Sequence, residues 1–311
     1  MAEDEAATVP ISRPNSELLK WPKKDERCIL YVAYHVGHLD RTINFYTEAI
    51  GMKLLSRKDV PEEKHSYAFL GFGPEANQFV IKLKFDYGVN NSCDIIRTGF
   101  GHLGLETPDV HKMVENIRGK GGDIVKEPTL FEMDGSDYSG AIVKDPDGCT
   151  FELIQSDSIS GSSPSPAPPL NHVMLFVADL DRSIQFYEKA LGMKLLKKII
   201  GNSEHEATVA TIGYEDEKST IIELNHMCAG PQYTNENSNA QVAIGTNDVC
   251  KSALAVNLVT QELGGKITRP PGPLPVTKTN VATFIDPDGW EIVLIDNGDF
   301  LKEMRSTTVI E

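Results

Sequence analysis

Two copies of one pattern occupy most of this chain, and the second copy follows the first by about 141 residues. Each copy contains Leu-Asp-Arg followed by Thr or Ser, then Phe-Tyr, then Gly-Met-Lys-Leu-Leu, and ends in Asp-Pro-Asp-Gly. Leu39 and Leu180 open the two copies, and Asp145 and Asp286 open the closing motif at the same spacing. A duplication of this kind restricts the chain to folds with two similar halves. It also allows each position of one half to be compared with its counterpart.

Composition and charge narrow the class of protein. The chain has 311 residues, of which 40% are hydrophobic, and this is enough for two domains with cores of their own. A formal net charge of −15 argues against nucleic acid and anionic membranes as partners, since both require clustered Lys and Arg. The five cysteines are scattered and the acidic N-terminus lacks a signal or transit pattern, so we predict a cytoplasmic protein.

The two copies are separated by a stretch rich in Ser and Pro, which predicts an interdomain linker. The predicted organisation is a flexible arm at 1–25, a first domain at 26–155, the linker at 156–169, a second domain at 170–300 and a tail at 301–311.

Alternating apolar runs and helix signals predict the same order of elements four times. A short strand leads into a helix that ends at Gly51 or Gly192, with Asp40 or Asp181 expected at the helix N-cap. Three further strands follow, and a second such unit completes each copy. The predicted fold is therefore α+β, with four βαβββ modules in two domains and a ligand site where strands of different modules meet.

This combination of motifs, repeated in tandem, resembles the two-domain, plant-type glyoxalase I of the vicinal-oxygen-chelate superfamily. In that family four side chains hold a divalent metal, two from each domain. The resemblance implies that the ligands of one site are His102, Glu152, His172 and Glu223. The corresponding positions of the other site are Tyr31, Lys82, Gln241 and Val293.

These two sets of positions differ in their ability to bind a cation. Two imidazoles and two carboxylates suit Ni²⁺, Co²⁺ or Zn²⁺. In the other set Lys82 is a cation and Val293 has no donor atom, so a divalent metal is not expected there. We therefore predict one metal per chain, in a site that a monomer can form by itself. The sister cleft is predicted to be inactive or used for another purpose.

The retained set also predicts a type of chemistry. A divalent metal that chelates a carbonyl and an adjacent hydroxyl acidifies the C–H bond between them. A carboxylate can then remove the proton and return it to the neighbouring carbon. Glu152 and Glu223 are the candidate catalytic residues, and the resemblance favours Glu152 as the principal base.

Other positions depart from the family pattern for binding glutathione. Phe176 stands where the family has a carboxylate-binding Arg, and Met227 stands where it has Asn. An acidic segment, 132–138, replaces a basic loop. We therefore expect Phe176 and Met227 to contact a bulky, apolar small-molecule substrate, and we expect glutathione not to be required.

Three functions are compatible with these residues. The first is a glutathione-independent enzyme that enolises a cyclic α-hydroxyketone of sesquiterpenoid type and drives it to an aromatic product, as in a specialised glyoxalase I variant of plant defence metabolism. The second is lactoylglutathione lyase, which converts the hemithioacetal of methylglyoxal and glutathione to S-lactoylglutathione. The third is a non-catalytic protein that binds a metal or a small apolar ligand. The substituted contact positions favour the first.

Overall fold

A computed structural model describes residues 14–73, 79–88, 100–133, 136–156, 169–201, 207–214, 220–226 and 240–305. The strands of the first copy are β1 Ile29–His35, β2 Lys53–Val60, β3 His65–Gly71, β4 Val80–Asp86, β5 Phe100–Thr107, β6 Asp123–Met133, β7 Ser136–Lys144 and β8 Thr150–Gln155. Those of the second copy are β9 Leu170–Phe176, β10 Lys194–Ile199, β11 Thr208–Gly213, β12 Ile221–His226, β13 Gln241–Thr246, β14 Lys266–Pro273, β15 Asn280–Ile285 and β16 Glu291–Asp296. The α-helices are α1 Pro14–Leu18, α2 Leu39–Phe45, α3 Val110–Gly119, α4 Leu180–Phe186, α5 Val249–Leu263 and α6 Asn297–Arg305.

The strands form two mixed sheets, and each sheet takes one module from each copy. One sheet has the order β14-β15-β16-β13-β1-β4-β3-β2, and the other has the order β10-β11-β12-β9-β5-β8-β7-β6. The central pairs, β1 with β13 and β5 with β9, are antiparallel and join the two halves of the chain. The predicted α+β fold of four βαβββ modules is confirmed. The predicted domain boundaries remain predictions, since both sheets are built from strands on either side of the linker.

The N-cap of the first helix lies two residues earlier in each copy than the sequence suggested. His38 and Asp179 are the N-caps of α2 and α4, and their side chains accept hydrogen bonds from the backbone N–H of Arg41 and Arg182. The prediction that Asp40 and Asp181 occupy the caps was wrong, because the apolar residue before each of them already lies in the first helical turn and is buried. A π-helical turn extends each helix and ends at Gly51 (φ 85°) or Gly192 (φ 74°), where the left-handed backbone favours glycine.

The Asp-Pro-Asp-Gly turns connect the two modules of each copy. Asp147 accepts hydrogen bonds from the Gly37 backbone N–H and from the Arg41 and Thr42 side chains. In the second copy Asp288 accepts from the equivalent positions of α4 and the residues before it. The repeated motif is therefore structural, because it fixes the first helix of a copy against the last hairpin of the same copy.

One large hydrophobic cluster includes residues of both sheets and of α2 to α5. A second, smaller cluster lies on the sheet that contains β1 and β13, and it includes Phe300 and Met304 of α6. Within the described ranges, no helix is long and apolar enough to cross a membrane.

Candidate metal centre and its sister cleft

The four predicted ligands lie on four adjacent strands in the middle of one sheet. The sheet order β12-β9-β5-β8 carries Glu223, His172, His102 and Glu152 in that sequence. Two imidazoles therefore lie on the central strands, and a carboxylate lies on each outer strand. Glu152, His172 and Glu223 are buried, and His102 is half-buried. Because the strands come from two modules on opposite sides of the linker, both copies of the chain are needed to form this row.

Three of the four side chains converge on one point. His102 Nε2 lies 2.9 Å from His172 Nε2 and 2.9 Å from Glu152 Oε2, and His172 Nε2 lies 3.6 Å from the same carboxylate oxygen. The three ligand atoms lie within 4.8 Å of one another. Two imidazole nitrogens and a carboxylate oxygen in this arrangement are a donor set that borderline divalent cations accept. The residues present therefore fit a divalent metal.

Glu223 completes the row from the neighbouring strand. It is paired with Met174 of β9, and its carboxyl is close enough to His102 and Glu152 to interact with both electrostatically. Burial raises the pKa of Glu223, and the charge of Glu152 raises it further. The repulsion between two neighbouring buried carboxylates is relieved when one of them is protonated or when a cation binds both. Glu223 therefore remains a candidate fourth ligand beside the three side chains that converge.

The electrostatics of the cluster keep its other members ready to bind a metal. Burial raises the pKa of Glu152, but its hydrogen bonds and charge interactions with His102, Tyr138 and His172 outweigh this and hold it at about 2. Burial and the neighbouring His102 lower the pKa of His172 to about 4. A carboxylate and a neutral imidazole are the forms that bind metals, and both are the stable forms near neutral pH.

Tyr138 was not predicted from the sequence as a member of the site, although its hydroxyl donates to Oε1 of Glu152. Tyr138 belongs to the acidic segment 132–138, which is one of the departures from the family pattern for binding glutathione. Within that segment Glu132 of β6 pairs with Asp137 of β7, and both of these side chains are exposed to solvent. Alternation along a strand places adjacent residues on opposite faces, so Tyr138 faces the site while Asp137 does not. This pattern was visible in the sequence, but only once the segment is recognised as a strand.

Of the two residues expected to contact substrate, Phe176 lies among the described residues and Met227 does not. Phe176 is the last residue of β9 and is half-buried. It shares a strand face with His172, and its backbone carbonyl accepts a hydrogen bond from the Trp290 indole at 2.9 Å. Met227 lies outside the described residues. The role of both in substrate binding remains a prediction.

Side chains of the sister cleft contact one another and a glutamate of α6. Lys82 lies 4.3 Å, 5.0 Å and 5.4 Å from the ring centres of Tyr67, Phe69 and Tyr31. Its ammonium is 3.9 Å from Glu303 of α6, and this carboxylate also accepts hydrogen bonds from the hydroxyls of Tyr67 (2.8 Å) and Thr279 (2.7 Å). Here a lysine and a glutamate from the C-terminal helix form an internal ion pair.

The other two positions of the sister cleft are also engaged within the protein. Gln241 donates to Glu291 at 2.6 Å, and Val293 is buried in the same cluster as Phe300 and Met304 of α6. Burial lowers the pKa of Lys82, while Glu303 opposes this shift. The helix α6 therefore places apolar and charged side chains in this cleft, and a cavity of about 200 Å³ lined by Lys82, Gln241 and Glu303 remains beside them.

Comparison with known proteins agrees with this architecture. The model of the Glyoxalase/Bleomycin resistance protein/Dioxygenase superfamily matches residues 29–153 and again residues 169–294. A lactoylglutathione lyase from Arabidopsis thaliana is 55% identical over 93% of this chain and 99% of its own length. A lactoylglutathione lyase from Oryza sativa is 53% identical over 93% and 96%. The crystal structure of glyoxalase I from Zea mays superposes with a TM-score of 0.81 at 50% identity, over 92% of this chain and 98% of that one.

These relatives correct the predicted function. The expectation of a glutathione-independent aromatase acting on a cyclic α-hydroxyketone was wrong, since lactoylglutathione lyases match the chain at this identity over nearly its whole length. The expectation that glutathione is not required is likewise unsupported. The error came from two substituted contacts and a misplaced acidic segment. A tripeptide is bound by many contacts, so changes at two positions do not define a new substrate, and solvent screens the exposed Glu132 and Asp137.

The duplicated family match, the paired modules and the His/Glu/His cluster lead to one assignment. The chain belongs to the Glyoxalase/Bleomycin resistance protein/Dioxygenase superfamily, and within it to the two-domain, plant-type glyoxalase I enzymes.

Proposed function

We propose that this chain is a metal-dependent lactoylglutathione lyase, which isomerises the hemithioacetal of methylglyoxal and glutathione to S-lactoylglutathione. The observation that carries the proposal is the row of Glu223, His172, His102 and Glu152 on four adjacent strands, in a chain whose full-length relatives have this activity. Ni²⁺, Co²⁺ and Zn²⁺ are the proposed metals.

The metal would be held by the two imidazoles of His102 and His172 and by the carboxylates of Glu152 and Glu223. When bound, such a cation polarises the two adjacent oxygens of the hemithioacetal and acidifies the carbon that carries the hydroxyl. The rest of the reaction is a proton transfer between neighbouring carbons, which requires a base within reach of both.

Glu152 is suited to this proton transfer because its two oxygens have different partners. Oε2 faces His102 and His172, and Oε1 accepts the Tyr138 hydroxyl. Burial raises the pKa of Tyr138 far above neutrality, so this hydroxyl keeps its proton and remains a donor. Glu152 removes the proton from the hydroxyl-bearing carbon and delivers it to the former carbonyl carbon, while the hydroxyl proton passes to the neighbouring oxygen. The reaction is therefore an isomerisation with no net gain or loss of atoms.

Glu223 is the second candidate for this role. It lies at the opposite end of the row, and burial raises its pKa, whereas the pKa of Glu152 is lowered. Two carboxylates with opposite shifts on the two sides of a substrate are a common arrangement for acid and base in proton shuttling. We propose Glu152 as the principal base and Glu223 as a second proton-transfer group at the other face of the substrate.

Thioester formation tests the proposal. The purified protein is stripped of metal with a chelator and reloaded separately with Ni²⁺, Co²⁺ or Zn²⁺. Product is then followed by thioester absorbance with methylglyoxal, with and without glutathione. We expect turnover only when metal and glutathione are both present. Metal-loaded protein that makes no S-lactoylglutathione at millimolar glutathione would refute the proposed activity.

A further inference from the structure

We propose that Asn171 and Glu106 are positioning residues that fix the tautomer of His172, so that its Nε2 lone pair faces the metal centre. The proposal rests on the proposed function in one respect, namely that His172 is a metal ligand. It concerns two residues that are not among the four candidate ligands and that are connected to His172 by hydrogen bonds. None of the sequence motifs indicated them.

Two hydrogen bonds connect Glu106 to Asn171 and Asn171 to His172. The Glu106 carboxylate determines their direction, because an ionised carboxylate can only accept hydrogen bonds. Asn171 Nδ2 donates to Glu106 Oε1 at 2.9 Å. This contact orients the Asn171 amide, and its oxygen must then face the other way. Asn171 Oδ1 lies 2.8 Å from His172 Nδ1.

An amide oxygen is only an acceptor, so Nδ1 of His172 must carry the proton. A neutral imidazole has a single N–H, and Nε2 is then left with its lone pair. That nitrogen is the one that lies 2.9 Å from His102 Nε2 and 3.6 Å from Glu152. The direction of donation from Asn171 to Glu106 thus determines which nitrogen of His172 can bind a cation.

Gly104 provides the space for this arrangement. It is paired with His172 across β5 and β9 and with Glu152 across β5 and β8, so it lies between the two ligands in one row. A Cβ atom at this position would lie 2.1 Å from His172 Nδ1 and 2.4 Å from Asn171 Oδ1. Any side chain here would displace the two atoms that form the hydrogen bond.

The sister cleft offers a comparison within the same chain. In the repeat, Leu30 corresponds to Asn171 and Gly245 corresponds to Glu106. Ala243 corresponds to Gly104, because it pairs with Tyr31 on one side and with Val293 on the other. The cleft that lacks a ligand set therefore also lacks the amide, the carboxylate and the glycine. Three positions differ together, as expected if their purpose is to support a histidine ligand.

The test reverses the direction of one hydrogen bond. Glu106→Gln has nearly the same shape but can donate as well as accept, so Asn171 is free to turn and present Nδ2 to His172. The double variant Asn171→Asp/Glu106→Gln restores the direction, because the introduced carboxylate accepts both from the introduced amide and from His172. It carries the same total charge as the natural pair. Asn280→Ala is the matched control, since Asn280 also donates to a carboxylate, Asp299, at 2.8 Å but lies away from the site.

Zn²⁺ affinity of the metal-free protein is the main readout, measured by competition with a chromophoric chelator and independent of turnover. We expect Glu106→Gln and Asn171→Ala to bind Zn²⁺ about 10- to 100-fold more weakly, the usual effect of removing a partner of a metal-bound histidine. The double variant and Asn280→Ala should bind as the natural protein does. Nitrogen-15 NMR of labelled histidine in the metal-free protein should show His172 with its proton on Nδ1, and a mixture of tautomers in Glu106→Gln.

Two results would overturn the inference. Unchanged Zn²⁺ affinity in both single variants would remove the positioning role, and a double variant as weak as Glu106→Gln would show that charge or folding is responsible. Failure of the proposed function has another signature, in which the natural protein binds Zn²⁺ tightly and shows the Nδ1–H tautomer but forms no thioester.

Discussion

The ion pair in the sister cleft gives a prediction whose size can be worked out from the structure. Lys82→Met removes the cation and leaves Glu303 buried, while the Tyr67 and Thr279 hydroxyls still donate to its carboxylate. Breaking a fully desolvated pair costs about 3–5 kcal/mol. Here the 3.9 Å separation is long and the Tyr67 and Thr279 hydroxyls still donate to Glu303, so the cost should be smaller, about 1–3 kcal/mol.

Glu303→Gln should be milder. Gln can still accept from the two hydroxyls, and Lys82 keeps its three aromatic neighbours, whose attraction is about 0.5–2 kcal/mol. The double variant Lys82→Met/Glu303→Gln should lose less than the sum of the single variants, since neither group is left as an isolated charge. The expected coupling energy is about 1–2 kcal/mol, within the usual range for contacting residues.

The assay is urea unfolding of the metal-free protein, combined with hydrogen exchange of α6 amides as a local readout. Lys189 and Glu262 supply the matched control, because they form an exposed pair at 2.6 Å whose coupling should be about 0.2–1 kcal/mol. A coupling between Lys82 and Glu303 no larger than that of the control would refute the reasoning. So would unchanged exchange of α6 in Lys82→Met.

Three further predictions concern the candidate metal centre. Glu152→Gln should lower kcat by about 10²–10⁴, the usual contribution of a general base, and full activity would exclude Glu152 from that role. Tyr138→Phe should raise the pKa of Glu152, because the hydrogen bond from the Tyr138 hydroxyl stabilises the ionised carboxylate; carbon-13 NMR titration of the labelled Glu152 carboxyl in the metal-free protein measures this pKa directly, and an unshifted value would contradict the contact. Gly104→Ala should weaken Zn²⁺ binding and destabilise the fold by about 1–3 kcal/mol because its Cβ overlaps His172 Nδ1; a variant with natural affinity and unfolding midpoint would show that the ring can move without consequence.

Much of the architecture could be predicted from local patterns in the sequence. The helix stops at Gly51 and Gly192 were predicted because a left-handed residue is a local requirement that glycine meets. The N-caps were misplaced because His38 and Asp179 compete with nearby Asp residues for the same role, and only the packing of Leu39 and Leu180 decides between them. Short-range patterns identify elements well and their ends less well.

The sequence predicted the candidate ligands of the site but not the residues that contact them, for a related reason. His102, Glu152, His172 and Glu223 could be named because the family pattern specifies them one by one. Tyr138, Asn171 and Glu106 could not, since each acts through a hydrogen bond to a residue on another strand. Substrate preference was mispredicted for the same reason, because it depends on the sum of many contacts.

By itself, the sequence determined the duplication, the module pattern and the asymmetry between the two sets of ligand positions, because these properties depend only on residue types and their spacing. Only the tertiary structure decided which modules share a sheet, and therefore that β12, β9, β5 and β8 bring the four candidate ligands into one row. It also decided that α6 contributes Glu303 to the sister cleft and that Asn171 contacts His172. Strand pairing between the copies and side-chain contacts across strands depend on long-range packing, which no local pattern specifies.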